Sequence, residues 1–291
     1  MRNLSNPHKI ALLTDSTADL TAQLRQGKPI YTVPLRILCA DGEYHDGVDI
    51  FSEDIYRRLD AGEIPKTSLP DLPFLARTLD QIAADGYEKV IAVMLSSGLS
   101  GTFNMVRLYA AERSDLEIKV FDSLSGALGS GITVLQLWEE ICAGADWEYL
   151  VEHRVPELIG NTFPFFTVDT LEYLAKGGRI GKVTAMAGTM LSIKPVIHFS
   201  EDGQLQSIAK VRGFRQAQDK LVELCRERLG SHRRYNLAIE HGGASEAMER
   251  LREKLLSAFP DCEHCWESTI DATLSVYIGK GVIGAGIQVL D

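Results

Sequence analysis

Four short apolar runs in the first half of the chain, at residues 9–14, 30–38, 89–95 and 117–121, alternate with stretches of helical spacing. A strand that is apolar on both sides must be covered on both faces, and helices between such strands supply the cover. This alternation restricts the first half to an open, mostly parallel α/β sheet. Helices are expected at 71–84, where Leu72, Leu75, Leu79 and Ile82 share a face and Gly86 stops the helix, at 102–111, and from Asp122-Ser123 through Ile141. Ser16 and Asp19 have the spacing of a capping box that opens a further helix.

After about Asp146 the pattern changes. Runs at 196–199 and 205–210 flank Ser200-Glu201-Asp202-Gly203-Gln204, which reads as a β-hairpin. Helices are expected at 214–229 and 245–259 with a strand at 235–240 between them, and the 274–290 tail reads as β-rich and glycine-broken. The 291 residues suit two domains at roughly 150 residues each. The expected fold class is two-domain α/β: an N-terminal parallel-sheet α/β domain over 1–155 and a C-terminal α+β domain with a mixed sheet over 156–291.

Charge and cysteine content narrow the function. Lys+Arg 30 against Asp+Glu 40 gives a net charge of −10, which argues against a broadly basic nucleic-acid surface. No run reaches the roughly 18 apolar residues of a transmembrane helix. The stretch from Met1 to Thr14 has too short an apolar run for a signal peptide. Five cysteines, an odd number, fit a reducing cytoplasm. The expectation is a cytoplasmic protein that binds no nucleic acid.

The segment richest in chemistry is Ser96-Ser97-Gly98-Leu99-Ser100-Gly101-Thr102, between a strand and a helix. Ligands of open α/β sheets bind at the carboxyl ends of strands, and a glycine-rich turn into a helix offers free N–H groups to an anion. One cap needs one hydroxyl, whereas this turn carries four. Asp15-Ser16-Thr17 and Asp122-Ser123-Leu124-Ser125-Gly126 follow strands in the same way, each alone readable as a cap. Pro65-Lys66-Thr67-Ser68-Leu69-Pro70 adds a further hydroxyl pair on a chain that its prolines keep extended. The Ser96 loop has no lysine or arginine, so it suits a single carboxylate better than a triphosphate.

Other motifs read as structure. Gly279-Lys280-Gly281-Val282-Ile283-Gly284 is a literal G-x-G-x-x-G, but too little chain follows for a dinucleotide fold, and its glycines are better explained by a bent strand or a close ligand. Cys262-Glu263-His264-Cys265 lacks a second ligand pair, and Asp46 and Asp49 read as turn residues, so no metal is expected. Neither a Ser-His-Asp arrangement nor any other catalytic group is legible. Lys176-Gly177-Gly178-Arg179-Ile180 stops a helix over 171–175; its functional reading is a basic turn for a partner, with Lys210 and Arg212.

Taken along the whole chain, the sequence resembles the DegV family of bacterial fatty-acid-binding proteins. The matching pieces are Thr14-Asp15-Ser16-Thr17-Ala18-Asp19-Leu20, Val33-Pro34-Leu35, Asp46-Gly47-Val48-Asp49-Ile50, Lys66-Thr67-Ser68 with Pro70, and the 96–102 loop. They continue with Leu171-Glu172-Tyr173-Leu174, Lys176-Gly177-Gly178-Arg179-Ile180, Ile193-Lys194-Pro195 and Val211-Arg212-Gly213. The resemblance implies a ligand cleft between the domains that buries a long-chain acyl group such as palmitate, stearate or oleate. It implies that Thr67 and Ser96 or Ser97 bind the carboxylate. It also implies a partner kinase subunit that phosphorylates the bound acid, docking through Arg179 and Arg212. The family usually carries a histidine in a His-Thr-Gly-Pro-Gly turn near the C-terminus; here Tyr277-Ile278-Gly279-Lys280-Gly281 stands there, offering a neutral hydrogen-bond donor.

The expected function is that of a lipid-binding protein without catalysis or cofactor. Its expected head-group residues are Thr67, Ser68, Ser96, Ser97, Ser100, Ser16, Ser123 and Tyr277. The alternatives are a serine-dependent acyl hydrolase using Ser97 or Ser100, and a regulatory module binding a small phosphorylated ligand.

Overall fold

A computed structural model of the chain describes residues 6–186 and 193–291. Met1 to Ser5, part of the stretch read against a signal peptide, lie outside the described residues. The chain runs β1 (Ile10–Asp15), a short α1 (Ala22–Arg25), β2 (Ile30–Val33), β3 (Arg36–Cys39), β4 (Gly42–His45), α2 (Ser52–Asp60) and β5 (Lys66–Ser68). It continues through α3 (Leu72–Ala84), β6 (Lys89–Met94), α4 (Thr102–Ala110), β7 (Glu117–Asp122) and α5 (Ala127–Cys142). Two short helices, α6 (Trp147–Tyr149) and α7 (Val155–Gly160), lead to β8 (Thr162–Thr167), α8 (Glu172–Gly177) and β9 (Ile193–Phe199). The rest is β10 (Leu205–Arg212), α9 (Gly213–Leu229), β11 (Tyr235–Gly242), α10 (Ser245–Ala258), β12 (Cys265–Thr269), α11 (Ala272–Ile278) and β13 (Val282–Val289).

The first lobe is the parallel sheet that the apolar runs required, in the order β2-β1-β6-β7. β1 is buried along its whole length, and β6 in all but its first residue. The second lobe is a mixed six-stranded sheet, β10-β9-β8-β13-β11-β12, with α9 and α10 packed on one face. α5 lies between the sheets: Leu128, Ile132, Leu135 and Trp138 join a core with Ile10, Leu12, Ile91 and Val93 of the parallel sheet and Ala238 of β11. A helix apolar on nearly every side is what such a middle layer demands. The fold is thus two-domain α/β, with a parallel sheet in the N-terminal part and a mixed sheet in the C-terminal part.

Three local expectations give way. The run at 30–38 is two strands, not one, because Pro34 interrupts it; β2 joins the parallel sheet, and β3 joins a separate sheet, β4-β3-β5. Ser16 and Asp19 do not open a helix. Asp15 caps a 3₁₀ turn by accepting from Thr17 N, and Asp19 takes a left-handed φ of 53°. The start of the 274–290 tail is helical: α11 forms because Asp271, its N-cap, and Asp46, an acceptor the local pattern does not reveal, hold its first N–H groups.

Candidate functional site

Apolar side chains from both lobes enclose a cavity of about 290 Å³ between the sheets. Its floor is built by alternation. Phe166 and Pro164 of β8, Gly284 and Gly286 of β13, and Glu240 and Ala238 of β11 stand in register and line the cavity. The central strand carries glycines there, so its backbone is left open to whatever occupies the space. These are glycines of the tail, where close ligand approach was one expected reading. Leu128 and Gly129 at the start of α5 and Leu95, Leu99 and Gly101 of the first lobe form the roof.

Polar groups gather where β5, the 96–101 loop, α8 and α11 meet. Thr67 Oγ1 and Tyr277 Oη, 210 residues apart in the chain, are hydrogen-bonded at 2.5 Å. The ring of Tyr277 lies against the turn after α8: a Cβ on Gly177 would stand 2.4 Å from Tyr277 Cδ1, so only glycine admits the ring. Arg179 covers the same ring, its Cζ 5.2 Å from the centroid, and Nη1 donates to Gly177 O at 2.8 Å. Ser68 Oγ accepts from Arg36 Nη2, and Ser100 Oγ lies 2.9 Å from Thr102 Oγ1. Thr67, Ser68, Ser100, Tyr277 and Arg179 all line the cavity.

Tyr277 is positioned by distant carboxylates. Asp46, nearly fully buried, accepts from Ala272 N at 3.0 Å and Thr273 N at 3.3 Å, while Asp271 accepts from Leu274 N at 2.8 Å. Asp46 was read as a turn residue; here it also holds the N-terminus of the helix that carries the tyrosine. Ser275 Oγ donates to Tyr56 Oη, tying the same helix to α2.

The remaining expected residues lie elsewhere. Ser96 is fully buried; its Oγ donates to Gly203 O at 2.8 Å and accepts from Gly98 N, fastening the 96–98 turn to the 200–204 hairpin of the other lobe. Ser97 is exposed, with its N–H on Asp122 Oδ1. Ser16 Oγ accepts from Leu35 N, and Ser123 Oγ donates to Ser125 O. Arg212 is exposed at the end of β10, with its N–H on Gln216 Oε1. None of these five lines the cavity. Two lining residues carry signals that local pattern misses. Glu240 is a carboxyl inside an apolar strand, and Thr273 has a buried hydroxyl with no partner among the described residues.

Among the described residues there is no grouping of three His, Cys, Asp or Glu side chains able to hold a metal, and no helix long and apolar enough to cross a membrane. All five cysteines are free.

Two lobes that close on a largely apolar chamber with hydroxyl groups at one side form a pocket whose shape and lining suit a small amphipathic molecule. The family follows from comparison. The DegV family model, described as "Uncharacterised protein, DegV family", matches residues 9–289, and the chain belongs to this family. A DegV domain-containing protein of Clostridium acetobutylicum is 36% identical over 279 residues, covering 96% of this chain and 98% of its own. Two solved structures are similar throughout. One, described as fatty acid binding of a DegV family protein from Thermus thermophilus, has a TM-score of 0.89 at 29% identity, over 97% of this chain and 99% of its own. The other is DegV, a fatty acid binding protein from Bacillus subtilis, with a TM-score of 0.86 at 26% identity and the same coverage.

Proposed function

We propose that this chain binds a long-chain fatty acid, with the alkyl tail in the inter-lobe cavity and the carboxylate at Thr67 and Tyr277. The observation that carries the reading is the hydroxyl pair at the edge of a largely apolar chamber. Burying the tail supplies the affinity, at ~0.8 kcal/mol per methylene before the losses of ligand freedom. A carboxylate cannot enter such a chamber unpaired, so neutral donors must meet it at the edge. Ser100 and Ser68, which line the cavity, and Ser97, exposed in the same loop as Ser100, are assigned to that donor set with Thr67 and Tyr277. Ser96, Ser16 and Ser123 support it by holding the surrounding loops.

In this reading the protein performs no chemistry itself. It presents the carboxyl to a kinase subunit that docks on the basic groups Arg179 and Arg212, and it works in the cytoplasm. Ser100 contacts Thr102 rather than a base, which favours a carrier over a hydrolase.

Native mass spectrometry of the purified protein tests the reading. The expected result is a co-purifying long-chain acid released on denaturation. Protein that arrives without lipid and takes up neither palmitate nor oleate overturns it.

A further inference from the structure

Four carboxyl groups outside the head-group site meet where the lobes touch: Asp19, Asp46 and Glu240, all buried, and Asp271, partly exposed but with its Oδ2 buried. They make the contacts of that seam. Asp19 Oδ1 accepts from Asp271 N at 2.7 Å, both oxygens of Glu240 accept from Leu128 N at 3.1 Å, and Asp46 holds Ala272 N and Thr273 N. Ser268 Oγ donates to the Asp19 carbonyl. Asp19 stands beside Glu240 and Asp271, and Asp271 beside Asp46, near enough for each to act on its neighbour's charge.

Among the described residues no cation balances this chain of acids. Among the described residues no lysine or arginine is ion-paired with any of the four. The groups nearest them on neighbouring elements are Asp15 of β1, beside Asp46, and the Tyr56 phenol of α2, beside Asp271 and Asp19; Glu53 of α2 lies beyond Tyr56, next to His241 of β11, whose imidazole pKa burial lowers. Arg36 of β3 is paired with Glu43, Lys176 of α8 with Glu172, and Lys66 of β5 is exposed. Asp19 Oδ2 and Asp271 Oδ2 are buried with no donor in reach. Two carboxyl oxygens in contact form a bond only when one of them carries a proton.

We propose that protons held among Asp19, Asp271 and Glu240 latch the two lobes over the cavity, and that their loss as the pH rises loosens the seam and lets the bound lipid go. Burial raises Glu240 to about 7, and burial with the neighbouring acids holds Asp19 and Asp271 well above the usual carboxylate range. Folding therefore favours the protonated forms. Their contribution is complete only below the ordinary carboxyl range, near pH 4.5, and for Glu240 it is lost as the pH climbs from there through about 7. Above that point like charges share a dry seam without a counter-ion. Glu240 is also a wall of the cavity, so the group that ionises touches the space the ligand fills. The release step rests on the fatty-acid reading; the latch does not.

The test follows release of cis-parinaric acid, a fluorescent fatty acid, from the full chain at pH 6.0 and 8.5, alongside melting temperatures of the ligand-free protein at both pH values. The expected result is release about tenfold faster at pH 8.5 in the wild type and nearly pH-independent in Glu240→Gln, which keeps the shape and removes the charge. Asp19→Asn, the second variant, is read in the same way. A wild-type rate that does not change with pH, or equal changes in wild type and variants, overturns the proposal. If the probe binds at neither pH, the lipid reading fails and the melting temperatures decide the latch: a steeper fall in the wild type than in the variants supports it, and parallel falls overturn it.

Discussion

The hydroxyl pair of Thr67 and Tyr277 gathers what this site requires at the level of single residues. Each oxygen can both donate and accept, so the pair can reorient its protons toward an incoming carboxylate without carrying charge itself. Thr67→Ala and Tyr277→Phe should each weaken binding of palmitate by about 1–3 kcal/mol, measured by displacement of a fluorescent acid. Unchanged affinity in both would move the carboxylate elsewhere. Gly177 has a narrower role, which is to leave room. Gly177→Ala places a methyl group 2.4 Å from the Tyr277 ring. It should lower the unfolding free energy by about 1–3 kcal/mol in denaturant titration and weaken acid binding with it. Thr67 and the Ser96–Gly101 loop were legible in the sequence as clustered hydroxyls. Their distribution between cavity and scaffold was not, because a hydroxyl that caps a turn and one that meets a ligand have the same letter.

At the scale of elements, α11 is the piece that local sequence misjudges. Ala272-Thr273-Leu274-Ser275-Val276-Tyr277-Ile278 is rich in β-branched and aromatic residues, which favour strands. It is a helix because Asp271 and, from 226 residues away, Asp46 supply acceptors to its first turn. Asp46→Ala leaves two buried N–H groups unpaired and should cost about 2–4 kcal/mol of stability. Asp46→Asn, which retains one oxygen acceptor, should cost less. Equal unfolding midpoints for Asp46→Ala and the wild type would show that α11 does not depend on this contact. The 200–204 hairpin tip is a second such device. Ser96 reaches Gly203 O, and a Cβ on Gly98 would lie 2.6 Å from Asp202 O, so backbone approaches backbone where the lobes meet. The hairpin was readable from its turn residues; what it fastens to was not.

For the whole molecule, a ligand held between the lobes would couple binding to stability through the seam. A ligand that fills the inter-lobe cavity touches both sheets and is lost on unfolding. At a free concentration one hundred times its dissociation constant, it should stabilise the protein by about 2.7 kcal/mol, seen as a rise in melting temperature on adding palmitate. A hydrocarbon of the same length without the carboxyl should give a smaller rise. Equal shifts would argue that the hydroxyl edge contributes nothing. The parallel sheet was legible because its central strands β1 and β6 are buried on both faces and must be apolar almost throughout. The six-stranded order β10-β9-β8-β13-β11-β12 was not, since β8 pairs with β13 from the far end of the chain.

The amino-acid sequence alone determined the strand–helix alternation, the hairpin, the family motifs and the supply of hydroxyl groups, because each depends on neighbours a few residues apart or on short signatures. Only the tertiary structure decided which hydroxyls face a cavity, that Gly284 and Gly286 open its floor, and that four acids share one seam. Those facts arise when residues such as Thr67 and Tyr277, or Asp46 and Ala272, are brought together over two hundred positions, and no local periodicity encodes that meeting.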